Sequence, residues 1–137
     1  MQIYFLQKRF YSFQENAPAN PKTPTSGMYI GWNKNHTTKM TPLGVSMVAA
    51  YALKKFDGLI EAKIFRSVNE FVSHVEKNVP KIACFSNYSW NGNLIYQIAT
   101  RIKQKYPNTI IVFGGPTIRS EPKDIEKYLI ERKNVDA

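Results

Sequence analysis

Two polar stretches carry the chemistry open to this chain. "SNYSWNGN" (86–93) follows the apolar run "KIACF" and offers hydroxyls, amides and two aromatic rings. "GGPTIRS" (114–120) follows "TIIVF" and offers two positions without side chains. Missing Cβ atoms at Gly114 and Gly115 let a ligand or another backbone approach closely. Amides and hydroxyls beside such a gap suit noncovalent holding of a large ligand. A tight turn would also use Gly-Gly-Pro, and Pro116 fits that use.

Other chemistries find no residues. Ser86 and Ser89 have no evident His and acid partners, so no hydrolytic triad forms. Cys84 is the one cysteine, which excludes a disulfide framework. It equally excludes a multi-cysteine metal or iron–sulfur site within this chain. His74, between Val72 and Val75, reads as a packing or surface residue, and His36, in "NKNHTTK", as a loop residue without a metal. Neither G-x-G-x-x-G nor G-x-x-x-x-G-K-[ST] occurs, so dinucleotide and Walker-type phosphate sites are absent. The first strand ends without paired acids, which argues against a magnesium-dependent phosphoacceptor. "TPTSG" (23–27) lies far from that strand and opens no helix, unlike a flavin phosphate loop.

The elements that must position these stretches alternate in kind. Strands are expected at "QIYFL" (2–6), "LIEAKIF" (59–65), "KIACF" (81–85) and "TIIVF" (109–113). The second alternates apolar and charged residues, as at a sheet edge, and the last two read as central parallel strands. Helices are expected at 41–56, 67–80, 93–106 and 121–133. Thr41 and Pro42 open the first, whose apolar residues surround the cylinder and predict deep burial. Ser67 and Glu70 form a capping box for the second, and Ser120 is the expected cap of the fourth. Residues 7–40 show no period and read as a long loop, of a kind usually functional or disordered, whose aromatics argue against pure disorder.

Strands alternating with helices specify an α/β fold with a parallel, flavodoxin-like (Rossmann-like) sheet of order 2-1-3-4. The fifth strand of that fold is missing: the chain stops after "VDA", where it should start. "TIIVF" would then present an open apolar edge. The 137 residues therefore read as a single domain, 1–137, forming the N-terminal part of a longer protein. Hydrophobic content of 43% supports a packed core. No apolar run spans a bilayer and no signal peptide is evident, so the expected location is cytoplasmic. The net charge of +9 comes from lysines and arginines spread along the chain, and reads as a solvated surface.

With these elements in order, "TPLGVSMVAAYALKKFDG", "IACFSNYSWNGNLIYQIATRIKQKYPNTIIVFGGPTIRSEP" and "VDA" resemble the cobalamin (vitamin B12) binding domain that precedes many radical SAM domains. The resemblance covers residues 1–6 and about 41–137. It implies that cobalamin lies over the carboxyl ends of the strands, its nucleotide tail inserted toward the sheet. Ser86 matches a serine that contacts the tail, and Gly114 and Gly115 match glycines that make room for it. Asn87, Tyr88 and Asn91 would line the same cleft, with Pro116 and Thr117 following the glycines. Thr41, Pro42 and Leu43 would border the corrin.

Two departures from related branches follow. The D-x-H-x-x-G motif that supplies an axial histidine is absent, implying cobalt without a histidine from this domain. Where the serine motif of that other branch carries Leu two residues on, this chain has Tyr88. The C-x-x-x-C-x-x-C motif is absent too. An iron–sulfur cluster and SAM would therefore belong to a radical SAM partner domain, in the same longer protein or a separate chain. The module is expected to bind and orient cobalamin for methyl transfer and not to be catalytic alone. No membrane or nucleic-acid partner is expected. A competing reading is a cofactor-free flavodoxin-like interaction domain. It would dock on RNA or a partner protein through Tyr11, Phe13, Tyr29 and Trp32 near Lys8, Arg9, Lys22 and Lys34.

Overall fold

The computed structural model describes residues 1–6 and 43–137. Thr41, Pro42, His36, "TPTSG" and the eight aromatic and basic residues of the interaction reading lie outside the described residues. Chain order is β1 (Gln2–Leu6), α1 (Leu43–Lys55), β2 (Glu61–Phe65), α2 (Val68–Lys77), β3 (Ile82–Ser86), α3 (Gly92–Lys105), β4 (Ile110–Gly114) and α4 (Pro122–Glu131). The strands form one parallel sheet of order β2-β1-β3-β4, as expected.

Alternation along each strand divides the core in two. Tyr4, Leu6, Phe65, Ala83, Phe85, Ile111 and Phe113 face α2 and α3, where Phe71, Val75, Ile95, Ile98 and Ile102 meet them. Ile3, Phe5 and Ile60 face α1 through Val45 and Ala49. On the first face, rings of Tyr4, Phe65, Phe71, Phe85 and Phe113 touch in succession at 5.4–5.6 Å. The chain of rings crosses all four strands, and each tilted or edge-on pair adds about 0.5–1.5 kcal/mol beyond burial. His74 packs at its end as the sequence implied. Its Nε2 lies 3.0 Å from the Tyr4 hydroxyl and its Nδ1 3.4 Å from Lys63 Nζ. An ammonium can only donate, so Nδ1 accepts and Nε2 carries the proton toward Tyr4.

Helix ends follow local chemistry with one exception. Ser67 Oγ accepts from Glu70 N at 3.5 Å and caps α2. At α4 the cap position falls on Glu121, not Ser120, and makes no side-chain bond. Pro122 has no N–H to satisfy, which lowers the need for a cap.

Three expectations about exposure change. First, α1 buries only Val45 and Ala49, while Leu43, Met47 and Tyr51 are about two-thirds exposed. It packs by one stripe against the sheet, and no other described helix shares its face. Second, β4 is an edge strand rather than a central one, and Ile110 is exposed. Third, the outer edge of β4 is not bare. Asp136 N and Ala137 N donate to Ile111 O, and Phe113 N donates to Ala137 O at 2.7 Å. The Asp136 carboxylate accepts from Ile111 N at 2.7 Å and pairs with Lys103 at 2.8 Å. Val135 is buried beneath. Every ladder group of Ile111 and the N–H of Phe113 thereby find partners.

Partial burial raises the cost of charge on Asp136, but the Ile111 N–H and the Lys103 ammonium outweigh it. Its carboxyl is held below the usual carboxylate range. A lowered folded-state value gives stability that is present above the unfolded value, about 4, and lost as pH falls through the folded one. Asp136→Asn should cost about 1 kcal/mol at neutral pH, the Lys103 pair being partly exposed. It should also flatten the acid limb of a stability–pH curve measured by urea unfolding. An unaltered limb would show that Asp136 is not what acid titrates.

Candidate functional site

The carboxyl edge of the sheet is where strand order reverses, between β1 and β3. In open α/β sheets ligands bind at that place. Two described loops rise there, 87–91 after β3 and 115–121 after β4. The start of α1 lies at the same edge, because α1 must return the chain to the amino edge for β2.

Register decides which residues meet. Ser86 pairs with Gly114 at the last rung of the β3–β4 ladder. Alternation puts both on the face of α1, in line with Ile82 and Cys84, which pack against the α1 cluster. Past β1 this face is thinly covered. Ile82, Cys84 and Val112 are half-buried, Ile110 is exposed, and Gly114 is exposed at the end. A Cβ added at Gly114 would meet nothing within 4 Å. The result is an apolar strip with a buried hydroxyl-bearing residue and a bare backbone at its top. Burial pushes the Cys84 thiol up to about 11. At neutral pH it stays protonated and adds apolar floor, not a thiolate.

Asn87 and Gly115 turn the other way, toward α3 and α4. Asn87 is 2% exposed, and its N–H donates to Gly114 O at 2.6 Å. Gly115 has φ +129°, and a Cβ there would fall on the carbonyl oxygen of Asn87, with Asn87 N only 3.1 Å away. What must lie close to Gly115 is therefore the chain's own backbone. The two neighbouring glycines divide the work: Gly115 admits the facing loop, and Gly114 leaves space open outside.

The amide of Asn87 reaches α4, where Nδ2 donates to Tyr128 Oη at 2.6 Å. Its Oδ1 is buried without a partner and lies against Gly92, where an added Cβ would be 3.2 Å away. Asn91 folds the loop on itself. Its Nδ2 donates to Ser86 O at 2.9 Å and its Oδ1 accepts from Tyr88 N at 2.8 Å. Tyr88 stacks on Trp90 with centroids 4.6 Å apart and planes 14° off parallel. Trp90 is half-exposed at the loop tip. Burial raises the Tyr128 phenol, partly offset by Arg132, whose guanidinium lies 4.1 Å over the ring.

Of the expected site residues, Ser86 and Gly114 come together on the α1 face. Asn87, Asn91 and Gly115 are gathered behind them as loop-holding groups. Tyr88 flanks the loop, Pro116 and Thr117 are exposed in the following turn, and Leu43 is exposed at the start of α1. Sequence reasoning missed Trp90, although the spacing Tyr-x-Trp in a short loop could have suggested a stack. It also missed Tyr128, which no local signal marks.

The B12 binding domain family model matches residues 34–133. The chain belongs to that family. No curated protein matches it. The residues present fit the family's cofactor: the strip beneath Ser86 and Gly114 has room above the glycine, an apolar floor, and polar backbone at one end. This cobalamin-binding domain thus offers a cradle built from strands and missing side chains, with no charged group at its last rung.

The glycine pair separates folding from binding. Gly114→Ala should unfold at the wild-type temperature but bind hydroxocobalamin at least tenfold more weakly, about 1.4 kcal/mol. Gly115→Ala should lose about 2 kcal/mol or more of stability, from positive-φ strain and the clash with Asn87. Thermal unfolding and absorbance titration of both variants test this. Wild-type affinity in Gly114→Ala would remove Gly114 from the cradle.

Proposed function

We propose that this cobalamin-binding domain serves a radical SAM enzyme, holding the cofactor for transfer of a methyl group to an unactivated substrate. The observation that carries the site assignment is the Ser86–Gly114 rung: two small residues opposite each other, on the less covered face, beside the strand-order reversal. Ser86 supplies a hydroxyl and Gly114 a bare backbone toward the nucleotide tail. Cys84 and Val112 supply apolar floor. Leu43 borders the corrin from α1. Bound cobalamin supplies the cobalt–carbon chemistry, and the chain supplies position and shelter from water.

Two features support the finer parts of the reading. The described histidine, His74, is engaged with Tyr4 and Lys63 on the α2 face of the sheet, away from the Ser86–Gly114 strip. His74 is therefore not the cobalt ligand in this reading. The single cysteine leaves any iron–sulfur cluster to a radical SAM partner, in a longer chain or a separate one.

Titration of the purified chain with hydroxocobalamin, followed by gel filtration, tests the reading. One cofactor per chain is expected, with a visible spectrum that lacks histidine ligation and is unchanged in His74→Ala. Affinity should barely respond to salt. A colourless, cooperatively folded protein would reject cofactor binding. Steeply salt-dependent RNA binding by that protein would favour the interaction domain.

A further inference from the structure

Asn87 is gripped from three sides. Its backbone is the surface on which Gly115 rests, and its N–H is tied to Gly114 O at 2.6 Å. Gly92, in the first turn of α3, lies against its amide oxygen. Tyr128, on the second turn of α4, takes its amide nitrogen at 2.6 Å. Of these contacts only the last is a side-chain hydrogen bond, and it reaches α4, which is not contiguous with the Asn87 loop. Tyr128 is itself anchored: its ring packs against the larger core cluster and lies under the Arg132 guanidinium at 4.1 Å.

The consequence concerns the cradle. Ser86 immediately precedes Asn87, and Gly114 immediately precedes Gly115. Any rocking of Asn87 must move both members of the last rung together. A 2.6 Å bond from a buried amide to a phenol held by packing opposes that motion. No other hydrogen bond fixes the amide, since its oxygen has no partner. Whichever way the amide is set, one end remains unpaired, so Tyr128 provides its one hydrogen-bond anchor.

We propose that Tyr128 is a positioning residue of the cofactor cradle, acting through Asn87 on the spacing and rigidity of the Ser86–Gly114 rung without touching the ligand. This rests on the cobalamin reading for its effect on affinity, but the clamp itself does not.

Three forms of the full chain decide it: wild type, Tyr128→Phe, and the double variant Tyr128→Phe with Asn87→Leu. The phenylalanine keeps the ring under Arg132 but orphans both ends of the amide. The double variant replaces both partners by apolar groups of similar shape, which restores stability when only an unpaired polar group was at fault. Amide hydrogen exchange is read first, without cofactor. In Tyr128→Phe the Asn87 and Tyr88 amides should exchange at least tenfold faster, while Phe5 and Cys84 in the central strands stay at wild-type rates. Unchanged exchange at Asn87 overturns the clamp, whether or not cobalamin binds. Hydroxocobalamin affinity is read second. Tyr128→Phe should bind about tenfold more weakly, and the double variant should regain its unfolding midpoint but not its affinity. Affinity that returns with stability makes Tyr128 merely structural and overturns the proposal. A wild-type chain that fails to bind hydroxocobalamin refutes the cofactor reading alone, and the exchange rates then decide the clamp.

Discussion

The constraint on which the rest depends is the hand of the crossover between parallel strands. A right-handed connection fixes which face each helix must take once the direction of travel along the sheet is set. From β1 the chain steps outward to β2, so α1 falls on one face. It then steps back past β1 to β3 and on to β4, so α2 and α3 fall on the other. Among the described residues, one face over β3 and β4 is therefore left thinly covered, and the strand order reverses beside it. The candidate cradle needs no special device: among the described residues it is the space left on that face by this winding.

Keeping that space usable is a separate problem, because two loops must stay parted while their backbones touch. Gly115 solves the contact by having no Cβ, and Asn87 solves the direction by reaching away from the open face. The arrangement buries a polar side chain with its oxygen unpaired, which costs about 1–3 kcal/mol relative to a satisfied amide. The aromatic chain from Tyr4 to Phe113 lies beneath the same loops and ends within one residue of Gly114. The stabilising rings and the uncompensated polar atom thus sit next to each other.

Most of the architecture was legible because apolar periods and turn residues agree with each other along the chain. The order 2-1-3-4, the Ser67 cap and the packing role of His74 follow from local pattern. What escaped did so for identifiable reasons. Helix α1 is apolar all round, yet burial depends on neighbours that a sequence window does not contain, and only Val45 and Ala49 find them. The edge of β4 looked bare because Val135 to Ala137 are too few to register as a strand, though three backbone bonds and Asp136 hold them there. The glycine pair pointed to the carboxyl edge of the sheet, where Gly114 pairs with Ser86. Its division of labour could not be read, because it turns on sheet alternation reaching one residue past the strand end. Tyr128 is 41 residues from Asn87, and no spacing rule connects them.

The distribution of charge bears on how such a cradle selects. The net +9 is carried in part by Lys54 and Lys55 at the end of α1 and by Lys103 and Lys105 in the last turn of α3, close to carbonyl ends they complement. None of it is placed on the Ser86–Gly114 rung. Among the described residues, then, the rung offers no fixed charge for long-range attraction, and what it contributes to discrimination is shape and short-range contact with backbone and hydroxyl groups. Such contacts weaken markedly over about an ångström. That makes the spacing between the two loops, and not the identity of any one polar group, the quantity the fold has to control.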